Sequence, residues 1–267
     1  MKKILFTLLF AASAIFANSL AEIKSSGKIR IGVQSTQPPF SFEDNGTMVG
    51  FEVDLAKELV KNLFGNKSSK IEFVPVRSDE RVAAIVQNKV DLVVSELTVT
   101  KERVREVDFS YPYYSVQIGV LTRADDNISR IDQIANNKIL AVGGTTADDH
   151  FKSAGYAIIN CSNANECVAR LKAGEGIGFA DDNTVVMGYA RSDAVLDVKI
   201  ANLGKVDYIA VALAKGNTQL LDAVNGSLIR MYKNKFFQKM FERDINPYYG
   251  GKIDKKHFSL DEVYSLF

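Results

Sequence analysis

With two histidines and two cysteines in 267 residues, the chain is poor in the side chains that hold transition metals. His150 and His257 fall at no ligand spacing with Cys161 and Cys167, so neither a metal site nor a cofactor is expected. The chain also lacks an excess of either charge. Its 33 basic and 32 acidic residues nearly cancel, and removing Lys2 and Lys3 leaves 31 against 32, a net charge of −1. Gripping a phosphate backbone takes a basic surface, so no nucleic acid partner is expected. No low-complexity tract and no repeat of about 20–50 residues interrupts the chain.

Its longest uncharged, mostly apolar run is too short to span a bilayer as a helix. That run, Ile4 to Ala17, follows Lys2 and Lys3 and ends in small residues, the pattern of a secretory signal peptide. Residues 1–17 are expected to be removed, with cleavage after Ala17 before Ala14. No cysteine lies near either point, so a periplasmic protein without a lipid anchor is expected. Cys161 and Cys167 have five residues between them. In an oxidising compartment they fit either a disulfide or two packed thiols, because sequence does not fix the Cα separation a bridge requires.

From Lys28 onward, β-rich runs alternate with amphipathic stretches. Ile29 to Val33, Ile71 to Val76 and Val90 to Val94 read as strands. Between the first two, Leu55, Ala56, Leu59, Val60, Leu63 and Phe64 form one apolar helical face, and a helix starting near Ser78 precedes the third. The pattern then restarts, with strands at Gln117 to Thr122, Lys138 to Val142, Tyr156 to Asn160, Gly176 to Ala180 and Tyr208 to Leu213. Such alternation predicts an α/β fold with mostly parallel sheets, and the restart predicts two lobes with a cleft between them.

Ligands of open α/β sheets sit at the carboxyl ends of strands. Three segments qualify. After Val94 comes Ser95-Glu-Leu-Thr-Val-Thr-Lys-Glu-Arg103, where a Thr100 cap would aim the Arg103 guanidinium and the free amides of a helix start at one small space, suited to a carboxylate. After Val142 comes Gly143-Gly-Thr-Thr-Ala-Asp148, where Thr145 or Thr146 can cap the next helix. After Ala180 comes Asp181-Asp182-Asn183. A cation and helix starts on one side, with a carboxylate on the other, match a zwitterion such as an α-amino acid.

These segments, together with P-P-F-S-F at Pro38 to Phe42, G-F-E-V-D-L-A at Gly50 to Ala56, V-D-F-S-Y-P-Y-Y at Val107 to Tyr114 and A-V-A-L-A-K-G-N at Ala210 to Asn217, make the chain resemble the periplasmic solute-binding proteins of family 3. The resemblance runs over nearly the whole chain after Ile23. It implies a two-lobed fold, each lobe a mostly parallel sheet flanked by helices, joined by two hinge strands near 115–118 and 205–209. Lobe I would comprise 22–114 plus 210–267, and lobe II 119–205. It also implies a monomer that binds a polar amino acid and delivers it to the permease of an ABC importer.

The resemblance carries roles onto matching residues. Arg103 would grip the ligand carboxylate with Thr98, Thr146 and Thr145, while Asp182 would receive the ammonium with Ser95 carbonyl and Thr98 hydroxyl. Arg81, Gln37, Phe40 and Ser78 would surround the ligand side chain, with Phe40 equally suited to the core. Gln37 and Ser78 stand where relatives that bind basic amino acids carry aromatics. Arg81 resembles the arginine that meets the side-chain carboxylate in acidic-amino-acid binders, so aspartate or glutamate is the first expectation. The G-T-T-A-D stretch and Phe236-Phe237 are similar to cysteine-binding members, which makes cysteine or another small polar amino acid the alternative. Relatives of this fold that dehydrate cyclic acids supply an enzyme alternative, but beyond the ammonium site no carboxylate stands out as a general acid. A receptor's sensory module is not expected, since no membrane-spanning stretch follows the second lobe.

Overall fold

The computed structural model describes residues 17–65 and 67–267, so the expected signal peptide, apart from Ala17, lies outside the described residues. Eight strands form one mixed sheet. They are β1 (Lys28–Val33), β2 (Lys70–Pro75), β3 (Leu92–Val93), β4 (Val107–Arg123), β5 (Lys138–Val142), β6 (Ala157–Cys161), β7 (Gly178–Asp182) and β8 (Leu196–Ala214). Their spatial order is β2-β1-β3-β8-β4-β7-β5-β6. The triplets β2-β1-β3 and β7-β5-β6 are each parallel, as βα crossovers require. Between them run β4 and β8, antiparallel to each other and to their outer neighbours.

This arrangement extends the sequence expectation in one respect. The short strands expected at Gln117 to Thr122 and Tyr208 to Leu213 are parts of strands of 17 and 19 residues that cross from one parallel triplet to the other. Their pairing is irregular where it crosses. Leu203 faces Ile118 and Asp207 faces Val116, so the β8 segment between them carries more residues than its partner, with Gly204 at φ +74°. Such a bulge loosens a ladder locally.

Apolar burial is divided in the same way. One cluster takes its buried residues from Ile23 to Val116 and from Ile209 to Tyr264, and another from Val76 to Val107 plus Ala212. Two others draw on Leu121 to Leu196 and on Ile118 to Ile200. Within the first, the helix Phe51–Phe64 buries all six residues of its expected face, each worth about 1.5–3 kcal/mol for the larger side chains. Phe40 is fully buried there too, stacked on Tyr114 and Phe258 at 5.2 and 6.4 Å. It fills core and does not line the cleft, which corrects the expectation that it surrounds the ligand side chain.

Cys161 and Cys167 form a disulfide with a Cα separation of 5.5 Å, which decides between the two readings left open by the sequence. A small antiparallel sheet, Thr36–Gln37, Ser41–Asp44 and Thr47–Val49, was not foreseen. It hangs beside the carboxyl end of β1 and supplies one wall of the cleft. Among the described residues no helix is long and apolar enough to cross a membrane.

Candidate functional site

The carboxyl ends of β1, β2, β3, β5, β6 and β7 converge on a single cavity of about 200 Å³. That is smaller than the roughly 300–1,000 Å³ of drug-sized pockets and suits a ligand of amino-acid size. One side is built from Gln37 after β1, Ser78 and Arg81 after β2, and Glu96 and Thr98 after β3. The other is built from Thr145 and Thr146 after β5, the disulfide-bounded residues Ser162 to Ala164 after β6, and Asp181 and Asp182 at the end of β7. The two aspartates lie within the strand, which runs two residues further than the sequence pattern suggested.

Two helix starts flank the cavity. Thr100 Oγ1 accepts from the Arg103 amide at 3.2 Å as a turn bond, but the helix Arg103–Glu106 is a single turn that starts after Glu102, which has no side-chain cap bond, so Thr100 is not its cap. Thr145 rather than Thr146 caps the helix Thr146–Ser153, its Oγ1 accepting from the Asp148 amide at 3.2 Å and donating to the Val142 carbonyl at 2.8 Å. Thr146 opens that helix on the cavity wall, where its first-turn amides add partial positive charge.

Arg103 lies beside the cavity, not among the residues lining it. Its Nη1 donates to the Thr98 carbonyl at 2.7 Å and its Nη2 to the Gly144 carbonyl at 2.9 Å, so the guanidinium ties one parallel triplet to the other. Burial and the nearby Arg81 charge pull its pKa down to about 10, while Asp182 pulls the other way.

Arg81 is buried, at 3% exposure, and lines the cavity instead of lying on an outer helix face. Its Nε donates to the Ser78 carbonyl at 2.9 Å, and Nη1 to the Ser95 and Glu96 carbonyls at 2.9 and 2.8 Å. Ser95, expected to offer its carbonyl to an ammonium, has that carbonyl engaged by the guanidinium and is not among the residues lining the cavity. An ammonium placed against its carbonyl would share it with a guanidinium, and the Ser95 side chain is buried away from the cavity. Thr98, Gln37 and Ser78 line the cavity.

Carboxyl groups dominate the remainder. Asp181 Oδ1 accepts from the Asp182 amide at 2.8 Å, holding the pair in place. Burial pushes Asp181 up to about 6, and burial together with the Asp181 charge pushes Asp182 up to about 8 against the pull of Arg81 and Arg103. Glu96, which the sequence reading passed over, lines the cavity at 4% exposure with a left-handed φ of +46°. Behind it lies Glu52, fully buried, whose Oε1 accepts from the Glu96 amide at 2.7 Å and from Tyr113 Oη at 2.5 Å. The signal was a carboxyl two residues beyond a buried V-D-L-V-V strand, at the strand end where ligands of such sheets sit. Among the described residues no group of three His, Cys, Asp or Glu side chains is placed to hold a metal ion.

Two parallel triplets spanned by two long strands, with a polar cavity at the facing strand ends, define a two-lobed solute-binding protein. The comparisons agree. Residues 29–246 match the family model described as bacterial extracellular solute-binding proteins, family 3, and the chain belongs to that family. A solved structure of the solute receptor for L-cysteine of Neisseria gonorrhoeae is 36% identical, covers 90% of this chain and 98% of its own, and superposes with a TM-score of 0.86. A cysteine-binding protein from Campylobacter jejuni is 31% identical over 88% of this chain and 96% of its own, with a TM-score of 0.84. An ABC transporter glutamine-binding protein of Bacillus subtilis is 27% identical over 85% of both chains. The chain is thus an amino-acid-binding component of ABC import, and its relatives are binding proteins rather than enzymes.

Proposed function

We propose that the protein captures a small amino acid with an uncharged polar side chain, cysteine before others, and passes it to an ABC permease in the inner membrane. The observation that carries this reading is the commitment of the buried arginine on the cavity wall. Arg81, the residue that suggested aspartate or glutamate, spends Nε and both Nη1 hydrogens on backbone carbonyls, and the acidic residues beside it on the wall, Glu96, Asp181 and Asp182, offer no cation. A side-chain carboxylate would be desolvated there with a partly committed cation to offset it. The two structural relatives named for cysteine support the same choice.

In this reading the ligand carboxylate takes the N–H groups of Arg103 not bonded to carbonyls, the Thr98 hydroxyl and the helix start at Thr146, with Thr145 as its cap. The ammonium takes Asp182. Residues 22–114 with 210–267 form one lobe and 119–205 the other, hinged near 115–118 and 205–209. The bulge opposite Ile118 and the division of apolar clusters support that hinge.

Calorimetric titration of residues 18–267 with each of the twenty amino acids is the test. Cysteine should bind near micromolar, a net free energy of about −8 kcal/mol, and at least about tenfold more tightly than aspartate or glutamate. Either acid binding more tightly than cysteine overturns the choice of ligand, and no binding of any amino acid overturns the whole reading.

A further inference from the structure

We propose that Glu96 is a specificity-determining residue: it touches the ligand side chain directly, as the cavity-facing member of a carboxyl pair backed by Glu52. The proposal rests on the amino-acid-binding reading and deepens it, since no role was assigned to this side chain.

Its placement is the first ground. The Glu96 main chain is fixed on both faces, with its amide donating to Glu52 Oε1 at 2.7 Å and its carbonyl accepting from Arg81 Nη1 at 2.8 Å. This αL turn follows β3 and leaves Glu96 among the residues lining the cavity, close enough to Asp181 and Asp182 for their charges to act on its carboxyl. A glycine would reach that φ with less strain, so the carboxyl is present at a conformational cost.

Its company is the second ground. Glu52 is fully buried with Oε2 lacking a hydrogen-bond partner, and its Oε1 is satisfied by the Glu96 amide and Tyr113 Oη. Tyr114 Oη donates to Glu96 Oε1 at 3.4 Å, a long bond. Thus two buried carboxyls act on each other with Arg81 as the nearby cation, and that arginine spends its Nη1 hydrogens on the Ser95 and Glu96 carbonyls. Two such groups do not both ionise. Burial and the charges of Glu52, Asp182 and Asp181 hold Glu96 well above the carboxylate range, and burial raises Glu52 to about 7. Glu96 therefore meets the ligand as a neutral carboxyl, able both to donate and to accept a hydrogen bond. An uncharged head such as a thiol, hydroxyl or amide suits it, and an aliphatic side chain leaves it unpaired.

The experiment titrates wild type, Glu96→Gly and Glu96→Gln with cysteine, with its thiol-free isostere 2-aminobutyrate, and with alanine. Glycine keeps the αL turn and removes the carboxyl, while glutamine keeps volume and a hydrogen-bonding head. Wild type should prefer cysteine over 2-aminobutyrate by about tenfold. In Glu96→Gly that preference should fall below about twofold, with cysteine losing at least about fivefold more affinity than alanine, and Glu96→Gln should retain a preference above about threefold. Equal losses for all three ligands in Glu96→Gly, or an unchanged preference, would show a structural role only and overturn the proposal while wild-type binding stands. A wild type that binds none of the three would overturn the amino-acid reading itself, and the proposal with it.

Discussion

Arg103 Nη2 donates to the Gly144 carbonyl at 2.9 Å, and Gly144 in turn packs so closely on Asp79 that a Cβ built there would lie 3.0 Å from its Cα. One glycine thus carries both a bond and a contact between the two parallel triplets. Its φ of +75° is also one that side chains rarely adopt. Gly144→Ala should therefore cost about 1–2 kcal/mol, because the halves must part or the turn must strain. We expect amino acid affinity to drop about tenfold with little change in secondary structure. Calorimetry with circular dichroism checks this, and unchanged affinity would mean that the closed contact is not needed for binding.

Arg103→Ala tests the same junction from the other side. The fold should survive, since the guanidinium bonds only two carbonyls, but a ligand carboxylate would lose its main cation inside a closed cleft. We expect affinity to fall by about 3–5 kcal/mol. Affinity within about threefold of wild type would remove Arg103 from the anion site.

Much of this site was legible because its parts follow local rules. A β-branched run, a threonine and an arginine three residues later place the Thr100 hydroxyl on the Arg103 amide without knowledge of the rest of the fold. The glycines and threonine after Val142 likewise announce a capped helix, and the Phe51–Phe64 face follows from its spacing. What escaped depends on contacts far apart in the chain. Whether Phe40 faces a cleft or a core is decided by Tyr114 and Phe258, residues far along the chain. Ser95 loses its carbonyl to Arg81, 14 residues away, and Glu96 gains its meaning from Glu52, 44 residues away. The hairpin at Asp44-Asn45-Gly46-Thr47, by contrast, follows a local rule, its Asn-Gly turn taking positive φ at both residues.

Binding should release protons near neutral pH. In the free protein burial and Asp181 raise Asp182 to about 8, so at pH 7 much of it is protonated. An arriving ammonium favours the carboxylate and expels that proton. Titrations at pH 7 in buffers of low and high ionisation enthalpy should therefore give different apparent enthalpies, with the sign of proton release, and Asp182→Asn should remove most of the difference. Identical enthalpies in both buffers would place the ammonium away from Asp182.

The same shift fixes a pH dependence of stability in the absence of ligand. Unfolded, Asp182 ionises near its ordinary 3.8, whereas folded it does so only at about 8. Between those values the folded protein holds more protons, so this contribution to stability is complete below the lower value and lost as pH rises through the upper one. Other groups titrate as well, and comparison with Asp182→Asn cancels them. From pH 5 to pH 8.5 the melting temperature of wild type should fall more than that of the variant. Parallel curves would mean that Asp182 is ionised throughout.

The disulfide bears on the choice of ligand. Cys161 and Cys167 are 5% and 0% exposed, and their loop carries Ser162, Asn163 and Ala164 on the cavity wall. Opening a loop this short should cost about 2 kcal/mol by chain entropy, and it would free that wall to move. The Cys161→Ala, Cys167→Ala double variant should therefore melt at a lower temperature and bind about three- to tenfold more weakly. A protein that holds cysteine faces a further demand, because a bound thiolate attacks any disulfide it can reach. Burial of both sulfurs meets that demand. Wild type incubated with millimolar cysteine and then alkylated should show no modified Cys161 or Cys167 by mass spectrometry. Rapid labelling would show the bridge to be within reach of the ligand and would count against cysteine as what the cavity holds.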